Sequence, residues 1–273
     1  MVEYVRYHVT PEIADDWLKH RNTRNRPFRE EHIRRYMEDM KAGRWVENGD
    51  AIRFDADGTL LDGQNRLEAC RRAGVGFDTC LVLGLPPEAQ ATMDQGARRS
   101  GADVLRLGGV DFENPTLLAS VAAADIRRER DGLAAAFRRN GRGKPSAGEL
   151  LEHVRATPRL GEAARRGAAV AARTAGLLSP TAAAVVWLAL DDVDPEAAGR
   201  FMESLATGAD LRDGDAILTL RAALARLSRD KRPQLERAAY TFKAWNRWRR
   251  GGRCLRLGWA PDGEKREPFP TPR

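Results

Sequence analysis

Asp57-Gly58-Thr59-Leu60-Leu61-Asp62-Gly63-Gln64-Asn65-Arg66-Leu67-Glu68-Ala69-Cys70 is the stretch on which the reading of this chain turns. Asp57-Gly58 is a turn dipeptide between two short strand-like runs, residues 51–55 and 59–61. The second run breaks at Asp62-Gly63 and passes straight into Leu67, Cys70 and Ala73 at helix spacing, with Gly74 where a helix stops. A strand thus delivers its end onto a helix N-terminus, where unpaired N–H groups and a partial positive charge favour anions. Gly63 permits close approach of backbone to a ligand, and Arg66 carries a guanidinium fork suited to phosphate or carboxylate. The plainer alternative is a simple helix cap, with Asp62 as N-cap and Arg66 solvated.

The segment Asp62-Gly63-Gln64-Asn65-Arg66-Leu67 resembles the Asp-Gly-Gln-His-Arg signature of ParB/sulfiredoxin-like domains, especially the small versions common in actinobacterial phages. Asn22-Thr23-Arg24-Asn25-Arg26-Pro27 resembles the upstream Asn/Arg/Pro box. Residues 30–43 resemble the helix ending in Gly before the first core strand, and 51–73 the strand, hairpin, strand and helix of the core. The resemblance covers residues 1–110. It implies that Arg24, Arg26, Asp62, Gly63, Gln64, Asn65 and Arg66 cradle nucleotide phosphates. Asp94-Gln95-Gly96-Ala97-Arg98-Arg99-Ser100 resembles an Asp-x-Gly-x-x-Arg continuation of the phage-type relatives and adds Arg98 to that set.

Members of the superfamily include CTP-hydrolysing segregation clamps, ATP-using sulfiredoxins and free-serine kinases. The implied ligand is therefore an NTP, ATP or CTP, with Mg²⁺, and the implied reaction is NTP hydrolysis or phosphoryl transfer. In the kinase members an acidic residue activates the acceptor hydroxyl. Glu47 and Asp50, the carboxylates nearest the signature in sequence, are the candidates here, beside Arg66; ordinary surface acids are the alternative. Two departures limit the likeness. Asn65 stands where His is usual, and a neutral amide takes up no proton, which leaves it hydrogen bonding to phosphate or ribose. Gln64 stands where sulfiredoxins carry their essential cysteine, so cysteine chemistry is disfavoured.

The chain has 273 residues, 42% hydrophobic and 31% charged, enough for one large or two modest domains. Without an apolar run of membrane-spanning length or a charged-then-apolar leader, the expectation is a cytoplasmic protein of a bacterium or phage-infected host. The three cysteines, Cys70, Cys80 and Cys254, have no metal-ligand spacing, and Cys70 and Cys80 fall in apolar patterns of core type. The net charge of +7 is unevenly placed: residues 231–273 hold twelve Lys or Arg against four Asp or Glu, a surplus of +8 that leaves the rest at −1.

In chain order, residues 3–9 alternate as a strand, and Thr10-Pro11 starts a helix with Ile13, Trp17 and Leu18 on its apolar face. Phe28, Ile33, Tyr36, Met37 and Met40 form the stripe of a second helix, read as core packing. Residues 78–83 read as a central strand. After Gly101 strand alternation ceases and helix starts recur at Ser100, Asn114-Pro115, Ser146 with Glu149, Ser179-Pro180 and Asp194-Pro195. The basic loop 138–144 breaks the long helix before it, and His153 is a lone histidine.

Residues 233–250 read as a last helix, on which Tyr240, Phe242, Trp245 and Trp248 interleave with Lys243, Arg247, Arg249 and Arg250; 253–259, with Arg253, reads as extended. Cations attract phosphates and Trp rings stack on bases, so Lys243, Trp245, Arg247, Trp248, Arg249, Arg250 and Arg253 are candidate nucleic-acid contacts; inward packing of the rings is the alternative.

The expectation is an α+β protein: a ParB/sulfiredoxin-like nucleotide-binding domain over 1–110, then an all-helical domain over 111–273 ending in a basic, aromatic arm. It would act on or with DNA through NTP hydrolysis or phosphoryl transfer. A DNA-binding module without chemistry and a small-molecule kinase are the competing readings. Segregation clamps dimerise, and whether this chain forms such a homo-oligomer is left open by its sequence.

Overall fold

A computed structural model describes residues 1–93, 99–138, 143–227, 234–263 and 266–273. The fold is α+β, with a four-stranded mixed sheet and helices. The chain divides into two units, Met1–Arg99 with Lys144–Glu149 and Ser100–Gly143 with Leu150–Arg273. The division falls at 99/100, ahead of the helix α4 over Gly101–Leu107, whose Ala102 and Leu105 are buried. Residues 144–149 belong to the first unit, where Ser146 Oγ donates to Asp39 Oδ1 at 2.7 Å and Arg44 Nε to the same oxygen at 2.9 Å. Among the described residues no helix is long and apolar enough to cross a membrane.

The first unit runs β1 (Glu3–Val9), α1 (Pro11–His20), α2 (Glu30–Lys41), β2 (Ala51–Asp55), β3 (Leu60–Asp62), α3 (Gln64–Ala73) and β4 (Phe77–Leu85). Sheet order is β1-β4-β2-β3, with β4 antiparallel to β1 and parallel to β2, and β2 antiparallel to β3. Thr10 caps α1, accepting from Ile13 N at 3.3 Å, with Pro11 at the first helical position. Helices α1 and α2 pack on α3 and together bury Ile33, Ile52, Phe54, Leu60 and Leu67 with the strands. Trp17 sits between Tyr7 and Phe54, with ring centroids 5.7 and 5.0 Å away. Cys70 is fully buried, and that burial, followed by the nearby Glu12 charge, pushes its thiol up to about 12; it is a core residue.

The second unit holds α4, α5 (Pro115–Asp131), most of α6 (Ala147–Ala156), α7 (Arg159–Arg173), α8 (Pro180–Asp191), α9 (Pro195–Thr207), α10 (Ala216–Arg226) and α11 (Gln234–Arg249). Ser100, Asn114, Ser179 and Asp194 each cap their helix through the side chain, as short polar residues do where helix donors lack partners. Helix α8 is apolar on all sides and buried from Ala182 to Leu190, which puts it at the centre of this unit. Helix α7 approaches it closely at Gly167, where a Cβ would lie 2.3 Å from the Pro180 carbonyl.

The C-terminal segment corrects one expectation. Trp245 and Phe242 are fully buried, and Trp248 packs against Phe201 at 5.5 Å and Trp245 at 5.6 Å. The Trp245 and Phe242 rings are core and are not presented for base stacking, whereas Trp248 is half-buried. Residues 253–259 form no strand, and the chain folds back on α11: Trp245 Nε1 donates to the Arg273 carbonyl at 3.1 Å and Asn246 Nδ2 to that of Thr271 at 2.9 Å. The physical reason is that Phe201 gives these rings apolar partners that water does not.

Two predictions come from this unit. Trp245→Ala is expected to cost about 3–5 kcal/mol in chemical denaturation, because it opens a cavity in a closed core. Asp125 is fully buried and bonded to Arg128 Nε at 2.6 Å and His153 Nε2 at 3.0 Å. Burial pushes its carboxyl up, but the His153 hydrogen bond and the Arg128 charge outweigh that and hold it below the usual aspartate range. A lowered carboxyl stabilises the fold above about pH 3.9, the ordinary value, and that contribution is lost as pH falls through the lower folded value. Asp125→Asn is therefore expected to be less stable at neutral pH and to lose part of the acid slope of the unfolding midpoint.

Candidate functional site

At the end of β3 the chain turns into α3 through Gly63, whose φ of +108° lies in the left-handed region. A Cβ there would fall 2.3 Å from Ile52 Cδ1. The backbone angle favours glycine, and a Cβ would in addition force the end of the Ile52 side chain to shift. Gly63 is the N-cap, not Asp62, and no side chain caps the helix. No acidic residue sits in the first turn either, so the positive end of the helix dipole is uncompensated there.

Asp62 has a different task. Its Oδ2 accepts from Arg53 Nη1 at 2.6 Å and from Arg66 Nη2 at 3.1 Å. Arg53 stands directly opposite Asp62 in the β2–β3 ladder, at a register shift between Arg53 and Phe54. One carboxylate therefore orients two guanidinium groups. Arg66 is 8% exposed and also donates through Nη2 to the Ala51 carbonyl at 2.7 Å. Its Nη1 is buried without a partner among the described residues, a costly state for a charged donor.

These residues line a cleft of about 780 Å³, within the range of small-molecule sites. Among the described residues, five arginines line it (Arg24, Arg26, Arg29, Arg53 and Arg66) against two carboxylates, Asp50 and Asp62. The balance favours an anionic ligand.

The structure gathers most of the residues singled out in sequence for phosphate binding and catalysis, but gives several of them other work. Arg24, Arg26, Asp62, Gly63, Gln64, Asn65, Arg66 and Asp50 all line the cleft. Gln64 is buried and acts as a clamp for the Arg24–Arg26 loop: Oε1 accepts from Asn22 at 3.3 Å and Nε2 donates to the Arg26 carbonyl at 2.8 Å. Asn65 Oδ1 accepts from the backbone of Arg29 at 3.0 Å and so pins the start of α2 to the first turn of α3. Asn25 completes the frame, donating to the Leu60 carbonyl at 2.7 Å. Glu47 lies outside the cleft lining and pairs with Arg6 at 2.8 Å. Its removal leaves Asp50 as the cleft carboxylate that no arginine holds among the described residues; Asn48 Nδ2 reaches it at 3.3 Å. Arg98 lies outside the described residues.

Sequence reasoning missed Arg53, Arg29, His32, Tyr36 and Gln90. An arginine in the otherwise buried strand 51–55 was a usable signal for Arg53, since a charge among buried neighbours is usually paired. Gln90, which donates to Asn25 Oδ1 at 3.0 Å and the Leu61 carbonyl at 2.9 Å, had no such signal.

The C-terminal cations are dispersed. Lys243 is tied to Glu267 at 2.6 Å, Arg249 pairs with Asp194 and lies over the Trp245 ring, and Arg253 pairs with Asp213 at 3.0 Å. Arg247 and Arg250 are exposed on the last turns of α11 and beyond it. No family model, no curated protein and no solved structure matches this chain.

The turn itself is testable. Gly63→Ala is expected to lose about 1–3 kcal/mol by urea denaturation, from left-handed strain plus the Ile52 contact. Gly43→Ala carries the same kind of strain at φ +68° but meets nothing within 4 Å. It should lose less, and equal losses would show that packing at Ile52 is not the constraint.

Proposed function

We propose that this chain is a nucleotide-binding protein of ParB/sulfiredoxin-like type that hydrolyses an NTP or transfers its terminal phosphoryl group, acting on or with DNA. The observation that carries the reading is Arg66: a buried guanidinium with an unpartnered Nη1, on the cleft, at an uncapped helix N-terminus. An unmet charged donor in such a place is explained by a phosphate oxygen that meets it when the ligand binds.

In phosphoryl transfer the protein contributes mainly position and charge. Arg66 and Arg53, held by Asp62, would stabilise negative charge on the phosphoryl oxygens, and preorganised donors of this kind do so without rearranging. Arg24 and Arg26 would bind the remaining phosphates from the loop that Gln64 clamps. Asp50 would orient the acceptor hydroxyl or water. The same carboxylate fits a Mg²⁺ held jointly with phosphates, since that ion takes one or two carboxylates and keeps its waters. Bound Mg²⁺ would supply further charge neutralisation. Any DNA contact at α11 would be made to phosphates by exposed cations such as Arg247 and Arg250, with the buried Trp245 taking no part.

The test is transfer of the terminal phosphate from labelled ATP, CTP and GTP with Mg²⁺, with and without DNA, using wild type and Arg66→Ala. Asp62 keeps Arg53 in the variant, so the fold is expected to survive, which circular dichroism checks. The expected outcome is label in DNA or in free phosphate, reduced about 100-fold or more in the variant. Folded protein that turns over none of the three nucleotides would overturn the reading.

A further inference from the structure

The cleft has a second chemical character that a bare phosphate does not use. His32 and Tyr36, one turn apart on α2, both line it. Their rings are 6.2 Å apart and near perpendicular, at 79°. Tyr36 is held edge-on by Trp45 at 5.4 Å, and Trp45 in turn by Phe77 at 5.6 Å, so the tyrosine ring is fixed from the core side. Both His32 and Tyr36 are only half-buried, which leaves ring surface open.

The position of this wall relative to the arginines is fixed as well. Arg29, the residue that precedes α2, is bonded to Asn65 in the first turn of α3. The aromatic wall and the Arg66 end of the cleft therefore belong to one frame, joined by this hydrogen bond and by Arg72 of α3, which donates to Glu30 at the start of α2 at 2.7 and 3.0 Å. A cleft that combines cations at one helix start with a rigid aromatic wall on the next helix matches a ligand with phosphates and a planar ring.

We propose that His32 and Tyr36 receive the base of a nucleoside phosphate by ring contact, and that this wall makes the site select nucleotides over inorganic polyphosphate. The proposal rests on the phosphate-binding reading above. Because every base offers a π-face, recognition by stacking discriminates little among bases. ATP, CTP and GTP should bind within several-fold of one another.

The experiment is calorimetric titration of the full chain with ATP, CTP, GTP and sodium tripolyphosphate, in the wild type, His32→Ala, Tyr36→Ala and Arg66→Ala. Wild type should bind the nucleotides about 10- to 100-fold more tightly than tripolyphosphate, the advantage of one stacked base. His32→Ala and Tyr36→Ala should each lose most of that advantage while keeping tripolyphosphate affinity. Arg66→Ala should weaken all four ligands alike. Tyr36 also touches the core, so should Tyr36→Ala not fold, His32→Ala decides the question alone. Equal wild-type affinity for tripolyphosphate and nucleotides, or an undiminished nucleotide preference in His32→Ala, overturns the proposal. Tight tripolyphosphate binding in that case leaves the phosphate reading standing, whereas binding of none of the four ligands overturns both.

Discussion

The carboxylate of Asp62, accepting from Arg53 and Arg66 at once, is the interaction on which the charge arrangement of the first unit's cleft depends. It couples three elements: the strand β2 that carries Arg53, the strand β3 that ends in Asp62, and the helix α3 that carries Arg66. Two guanidinium groups side by side repel each other, and one carboxylate between them makes their proximity tolerable. Sharing also leaves capacity over. Arg66 spends Nη2 on Asp62 and the Ala51 carbonyl and keeps Nη1 unmet, so the pair is structurally secured and still electrostatically incomplete.

Polar residues around that centre form a scaffold and not a set of ligands. Gln64, Asn65 and Asn25 each bond to backbone or to amide side chains of the surrounding loop, and Gln90 closes over Asn25 and the Leu61 carbonyl. Amides suit this task because each presents donors and an acceptor together and carries no charge to compete with an anion. The amides thus shape the cleft without adding charge to it, and its one shared carboxylate, Asp62, holds Arg53 and Arg66. Preorganisation of this kind lowers what binding must spend on ordering the site.

In the second unit the governing constraint is apolar burial. Helix α8 has no polar face, so its neighbours must enclose it, and the tryptophans of α11 join the same core. This is why a segment with strong nucleic-acid character in its composition has its rings inside. Arginine and lysine stems reach past buried rings to solvent or to acids, and the positive charge stays at the surface when the aromatic surface does not.

Much of the fold was legible in the sequence because it depends on neighbours in the chain. Thr10-Pro11, Ser100, Asn114-Pro115, Ser179-Pro180 and Asp194-Pro195 start helices through bonds that span three residues, and β2 occupies the residues its pattern marked. The strand-to-helix passage at Gly63 and the place of Arg66 in the first turn of the helix were equally local. What the sequence could not show was pairing across space. Asp62 looked like a helix cap until the β2–β3 register set it against Arg53, and Glu47 looked like a site acid until Arg6 claimed it. Tyr36 read as core because helix spacing reports which face is apolar and not which part of that face opens onto a cleft. The sequence by itself determined the helices, the turn and the cationic character of the site, since these follow from short-range sterics and residue type. Tertiary structure alone decided which charges meet, which rings are buried and which donor is left unmet, because those outcomes depend on residues brought together from distant parts of the chain.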